Sequence, residues 1–172
     1  WDKQFTLTVG NQGADINGNS DRALQAAVDY VKRMGGGTVQ ILAGKFTLRN
    51  SVVLPSHIRI KGNGEDTLIT KGPSVSTDIS EDSDWYDQEI TLKDAKGFKV
   101  GDAVFIQVRN PNHNGLDTIK RTLVARSGNR FKLNDGLRKN VWLKGKPTAT
   151  SVFPLFASER TADVRIEDLV LD

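Results

Sequence analysis

Between Asp21 and Met34, the apolar residues Leu24, Ala27, Val28, Val31 and Met34 recur at the spacing of one face of an α-helix. Gly18-Asn19-Ser20-Asp21 leads into this stretch, so Ser20 or Asp21 is the expected N-cap, and Gly35-Gly36-Gly37 ends it. The pattern predicts one amphipathic helix whose stripe covers apolar neighbours. Beyond it the period falls from about 3.6 residues to about 2. Val39 and Ile41, Phe46 and Leu48, Val52 and Leu54, and Ile58 and Ile60 alternate with other residues, and Leu68-Ile69 closes the series. Gly44, Asn50, Pro55, Gly62-Asn63-Gly64 and Gly72 punctuate these runs, which predicts a succession of short strands.

TVQI and HIRI start about 20 residues apart and align Val39 with Ile58 and Ile41 with Ile60. That return length suits one turn of a stacked parallel coil. Antiparallel hairpins explain short strands equally well, and periodicity does not choose between them. From Gly72 the texture changes. An acidic stretch is followed by EITL at 89–92, GFKVGDAVFIQV at 97–108 and TIKRTLVARSGNRFKL at 118–133. Gly101-Asp102 reads as a turn before the alternating Val104, Ile106 and Val108, and Ser127-Gly128-Asn129 as a hairpin turn. A small antiparallel β module is expected here. Val164, Ile166, Leu169 and Leu171 in VRIEDLVLD then have the texture of another coil.

The 172 residues are 37% hydrophobic, enough for a core, and contain no run long enough to span a membrane as a helix. Cysteine is absent, which removes disulfides, thiol catalysis and the usual structural zinc sites. Two histidines are too few for a transition-metal centre. The net charge of +3 hides a split. Residues 1–90 carry 9 bases against 12 acids, and residues 91–172 carry 15 against 9. Locally, Asp78–Glu89 holds six acids and no base, while Lys93–Lys146 holds 13 bases and four acids. Such a juxtaposition predicts internal neutralisation or a surface for a polyanion, with a plain solvated basic face as the alternative.

The candidate chemistry lies in that basic stretch. Arg109-Asn110-Pro111-Asn112-His113-Asn114-Gly115 is polar and loop-like, with Asp117, Lys120 and Arg121 close behind. Arg109 or Lys120 suits neutralisation of a bound anion, and His113 suits proton abstraction beside it. In the acidic stretch, Trp85 and Tyr86 are candidates for stacking on sugar rings, with packing onto the coil as the alternative. Asp78, Glu81, Asp82, Asp84 and Asp87 are candidate calcium ligands, although their spacing does not fit an EF-hand loop. His57 reads as a turn residue. No phosphate-binding glycine loop, no Ser/His/Asp set and no nucleic-acid-binding signature occurs, so neither nucleic acid nor membrane is expected as a partner.

GADINGNSDRALQAAVDYVKRMGGGTVQILAGKFTL (13–48) resembles the N-terminal region of right-handed parallel β-helix proteins of the pectate-lyase-like superfamily. HIRIKGNGEDTLIT (57–70) resembles that family's next rung, and VRIEDLVLD its typical repeat. The resemblance implies a mainly β fold: a right-handed parallel β-helix start with an N-terminal capping α-helix and an inserted small antiparallel β module. The cap and first coils then occupy 1–72, the basic module 73–151 and the resumed coil 152–172. It further implies a secreted or periplasmic, bacterial, carbohydrate-active protein: a polysaccharide lyase or glycoside hydrolase, or at times a phage tailspike. In that family calcium-binding acids with a basic residue serve lyases, and clustered aspartates serve hydrolases, on later coils. Calcium is therefore implied by the resemblance alone. No position here matches either motif, so no catalytic residue is carried over, and one fold hosts many activities.

Two readings follow. In the first, this is the opening segment of an enzyme acting on acidic polysaccharide, its catalytic groups lying beyond Asp172. In the second, it is a non-catalytic glycan-binding, adhesin or tailspike-like module. For the substrate contacts, both use Arg109, His113, Asp117, Lys120, Arg121, Trp85 and Tyr86. Trp1 in place of Met suggests a processed or engineered start, and two coils and a fragment suggest truncation. The open end, with Leu169 and Leu171, is expected to favour self-association.

Overall fold

The computed structural model describes residue 1 and residues 4–110, 112–113 and 115–172. The chain is mainly β and forms two compact units, 1–72 with 154–172, and 73–153. In chain order the first unit contributes β1 (Thr6–Gly10), β2 (Ile16–Asn17), α1 (Asp21–Arg33), β3 (Gly37–Ile41), β4 (Gly44–Leu48), β5 (Val52–Val53), β6 (Ile58–Lys61) and β7 (Thr67–Lys71). The second contributes β8 (Ser76–Asp78), β9 (Glu89–Thr91), β10 (Ala103–Arg109), β11 (Leu116–Ser127), β12 (Arg130–Leu133) and β13 (Thr148–Thr150). The chain then returns to the first with β14 (Phe156–Ala157), β15 (Val164–Glu167) and β16 (Val170–Leu171).

Every strand pairing in the first unit is parallel. One sheet has the order β15-β6-β3-β1-β2, a second β16-β7-β4, and a third pairs β14 with β5. Successive passes therefore visit the same sheets in the same order and stack like on like. Val39 pairs with Ile60, and Ile60 with Ile166. Phe46 pairs with Ile69, and Ile69 with Leu171. Val39, Ile60, Phe46 and Ile69 are buried, so each sheet turns one apolar row inward.

Three details differ from the sequence-based expectation. The alignment of Val39 with Ile58 and Ile41 with Ile60 is displaced by two residues, because Gly37 pairs with Ile58 and Val39 with Ile60. A slip of two leaves every side chain on its own face, so alternation alone does not detect it. Met34 is 54% exposed, because the helix ends at Arg33 and the next residue leaves its apolar face. Leu169 lies over Gly62 and is half-buried, while Ile166 and Leu171 are 41% and 49% exposed.

The helix covers the unit with Leu24, Ala27, Val28 and Val31, and is itself the connection between the parallel neighbours β1 and β3. Ser20 takes the N-cap backbone position but makes no side-chain cap bond. Asp21 instead accepts a hydrogen bond from the Arg49 N–H at 3.0 Å, tying the first helical turn to the residue after β4. Among the described residues no helix is long and apolar enough to cross a membrane.

The second unit is a six-stranded sheet of order β8-β13-β10-β11-β12-β9, antiparallel throughout. Its outer strands meet: Ile79 bridges to Leu92, Ser80 N–H donates to Thr91 O, and Lys93 N–H donates to Asp78 O. Ile90, Leu92, Phe98, Ile106, Leu123 and Phe131 lie in the core that this closure encloses. Between β11 and β12, Ser127 pairs with Arg130, leaving a two-residue turn. Gly128 occupies its first position at φ 58°, the left-handed region that a hairpin turn of this length requires there. Val75 and Ser151 join the two ends of the unit: Val75 N–H donates to Ser151 Oγ, and Ser151 N–H donates to Val75 O, both at 2.9 Å.

A cationic depression on the antiparallel unit

On β10 the inward residues Val104, Ile106 and Val108 are buried, which leaves Phe105, Gln107 and Arg109 on the outer face. Their partners across the β10–β11 pair are Lys120, Thr118 and Leu116. Thr148 faces Gln107 from β13. At the Arg109 end of this face, a tight 3-10 turn at Leu143–Gly145 packs against the strand. Gly145 is the contact. A Cβ there would collide with the Arg109 carbonyl oxygen and come within 2.7 Å of Val108 Cγ2, so only glycine permits this approach. The turn thereby delivers Lys144 and Lys146 beside Arg109. A depression of about 370 Å³ results, lined by Gln107, Arg109, Leu116, Lys144, Lys146 and Thr148 over Gly145. No acidic side chain is among these lining residues.

The other residues singled out from the sequence divide by strand parity. Lys120 lies on the outer face with its Nζ 5.1 Å from the centroid of the Phe105 ring. Arg121, its neighbour, is turned the other way. Its guanidinium donates to the Gly136 carbonyl from Nε at 2.9 Å and again from Nη2, and to the Leu137 carbonyl at 3.2 Å. It braces the 135–137 segment rather than joining Lys120 or Arg109 at one surface. Asp117 is buried, accepting from Asn110 Nδ2 at 3.0 Å and pairing with Lys139 at 3.2 Å. The Asn110 amide holds its carboxyl below the usual carboxylate range, with help from Lys139 and His113 and against the opposing effect of burial. In the loop between β10 and β11, His113 Nδ1 accepts the Gly115 N–H at 3.0 Å. Pro111 and Asn114 of the same loop lie outside the described residues.

The acidic segment meets the basic stretch only in part. Asp78 pairs with Lys93 at 3.3 Å, and Glu89 pairs with Arg130. The remaining carboxylates take neutral donors: Asp82 accepts from Leu143 N–H, Asp84 from the Trp142 indole, Asp87 from Asp84 N–H and Glu81 from the Thr91 hydroxyl. Among the described residues no group of three or more carboxylates and imidazoles is arranged to hold a metal ion. Trp85 and Tyr86 cap the turn that Asp84 and Asp87 close, at 45% and 82% exposure.

A larger depression of about 580 Å³ lies in the first unit, between Gln40, Lys61, Asn63 and Asp168. There Lys61 faces Asp168 at 3.8 Å, so its cation is compensated within the site. His57, in a left-handed turn at φ 59°, pairs with Asp163 through Nδ1 at 2.9 Å. Sequence reasoning missed Lys144 and Lys146 as site residues. The signal was Lys-Gly-Lys at 144–146, a glycine between two cations at a turn.

No family model matches the chain, and no curated protein matches it. Among solved structures it is similar to the gp54 tailspike of Acinetobacter baumannii bacteriophage AP22, solved in complex with A. baumannii capsular saccharide, at 15% identity and a TM-score of 0.43. That match covers 78% of this chain and 25% of the tailspike. The gp61 tailspike of Pseudomonas phage phi297 matches at 15% identity and a TM-score of 0.42, over 87% of this chain and 26% of that one. The gp49 tailspike of Pseudomonas phage LKA1 matches at 17% identity and a TM-score of 0.40, over 76% and 24%. The chain thus spans about a quarter of the length of these tailspikes.

Proposed function

We propose that this chain is a non-catalytic glycan-binding module of parallel β-helix type, whose antiparallel unit holds an acidic polysaccharide in the Arg109–Lys144–Lys146 depression. The observation that carries the reading is the convergence of three cations on one depression with no carboxylate among its lining residues. A uronate supplies the carboxylate that an arginine fork and two ammonium groups recognise. Its hydroxyls suit Gln107 and Thr148 on the same wall. For the coil, the support is the parallel stacking of sheets on a return of 21 residues, seen between Thr38 and Arg59. A ligand of this kind belongs outside the cytoplasm, in keeping with a secreted or periplasmic protein.

Binding rather than turnover is favoured because His113, the base singled out from the sequence, closes its own loop on the Gly115 N–H and is not among the residues that line the depression. Calorimetric titration with polygalacturonate and hyaluronate, against neutral dextran, tests the proposal. Both acidic polymers bind, dextran does not, and added salt weakens the binding. Arg109→Gln combined with Lys144→Gln and Lys146→Gln abolishes it. Unchanged affinity in that variant overturns the assignment.

A further inference from the structure

The depression does not stand alone on its surface. The 82–87 turn and the 138–146 segment are joined by several hydrogen bonds, the reciprocal Ser83–Val141 pair among them. Leu143 N–H donates to Asp82 Oδ1 at 2.6 Å, and Trp142 Nε1 to Asp84 Oδ1 at 2.8 Å. Trp85 N–H donates to Asn140 Oδ1 at 3.0 Å, and Arg138 N–H to Trp85 O at 2.9 Å. Gly145 N–H closes the 3-10 turn on Trp142 O at 2.8 Å. Trp142 therefore stands one tight turn from the glycine at the depression, and on its other side is fixed to the turn that carries Trp85 and Tyr86.

Charge reverses along this path. The depression is cationic. In the segment that carries the exposed rings, Glu81, Asp82, Asp84 and Asp87 have neutral hydrogen-bond partners and place four formal negative charges within seven residues. A ligand with a negative charge on every residue is attracted at one end and repelled at the other. A neutral pyranose is suited to the anionic end. Its C–H face packs on an aromatic ring, and its hydroxyls donate to carboxylates. A phosphate backbone would place dense negative charge beside the same four acids.

We propose that the ligand is a heteropolysaccharide in which uronates alternate with neutral sugars, a uronate occupying the Arg109–Lys144–Lys146 depression and a neutral neighbour stacking on Tyr86 and Trp85. This rests on the binding function proposed above and narrows it to a class of glycan. The test uses the whole chain and four probes: an octasaccharide alternating glucuronate with N-acetylglucosamine, an octagalacturonate, glucuronate itself, and a single-stranded dT octamer. The alternating octasaccharide binds about tenfold tighter than octagalacturonate, the gain expected of one or two good ring contacts. Tyr86→Ala removes that preference and leaves the affinity for glucuronate unchanged, while Tyr86→Phe retains the preference. Equal or tighter binding of octagalacturonate overturns the proposal. So does a preference that survives Tyr86→Ala, or tighter binding of the dT octamer. The combined Arg109, Lys144 and Lys146 variant separates the two failures. If it keeps all uronate affinity, the depression is not the binding site. If it loses that affinity while the wild-type chain shows no preference between octamers, only the alternating class is wrong.

Discussion

The side-chain amide of Gln25 pairs with both backbone groups of Val53, accepting from its N–H at 2.7 Å and donating to its carbonyl at 3.2 Å. A helical residue here completes a strand edge. β5 is two residues long, is paired on one side with β14, and has its other side closed by this amide. Gln25→Ala removes both bonds and is expected to cost about 1 to 2 kcal/mol. Gln25→Glu keeps an acceptor for the N–H but sets an oxygen against the Val53 carbonyl, so it costs at least as much. Urea unfolding checks both. A midpoint unchanged in both variants would mean that water serves this edge equally well.

Gly145→Ala tests how the depression is built. The added methyl meets the Arg109 carbonyl and Val108, so the 3-10 turn has to move away from β10 and take Lys144 and Lys146 with it. Affinity for acidic polysaccharide should fall about tenfold or more, with each of the three cations still present. Titration of this variant beside the wild type gives the answer. Retained affinity would show that the lysines reach the ligand without the close approach.

Arg121 and Lys120 are neighbours in sequence with opposite expected phenotypes. Arg121→Gln strips the 135–137 carbonyls of a charged donor and should cost about 2 to 3 kcal/mol of stability without changing glycan affinity at temperatures where the variant is folded. Lys120→Gln leaves stability within about 0.5 kcal/mol, because its side chain is exposed on the outer face over Phe105. Thermal melts paired with titrations separate the two. A binding defect in folded Arg121→Gln would place its guanidinium at the ligand after all.

Asp117 makes a prediction about acid. Its carboxyl is held below the ordinary range, chiefly by the Asn110 amide and then by Lys139. A carboxyl depressed on folding contributes stability that is present above its unfolded value, near 4 on the usual scale of about 3.9 for Asp, and lost as pH falls through the lower folded value. Stability measured by urea midpoint from pH 5 downward should therefore decline, and Asp117→Asn should flatten part of that decline. Parallel curves for the two proteins would show that Asp117 is not a source of it.

What the sequence made legible was what repeats. Val39, Ile41, Phe46, Leu48, Ile58 and Ile60 alternate cleanly because each sits in a strand with one buried face, and all are buried. The hairpin at Gly128 was visible because its turn has a chemical requirement. The polar strands β8 and β13, reading Ser-Thr-Asp and Thr-Ala-Thr, carry almost no apolar signal and went unseen. So did β1, although its Leu7 and Val9 alternate as Val39 and Ile41 do. For the site, sequence proximity misled. Arg109, Lys120 and Arg121 lie within thirteen residues, yet strand alternation turns Arg121 inward and chain return brings Lys144 and Lys146 to Arg109 instead. Alternation was readable in advance from TIKRTL; the return of a turn from about 35 residues away was not.

The join between Val75 and Ser151 bears on how the first unit is assembled. Ser51 and Pro154, which meet through a hydrogen bond at 2.6 Å beside the β5–β14 pair, are separated by 103 residues. Of these, 76 lie between Val75 and Ser151. Once the antiparallel unit has formed, the chain left to close is roughly thirty residues, which lowers the entropic cost of that closure by about 1 kcal/mol. The last two passes are thus cheapest to dock after the intervening unit has folded. An unstable intervening unit would slow the completion of the parallel sheets without altering any residue in them.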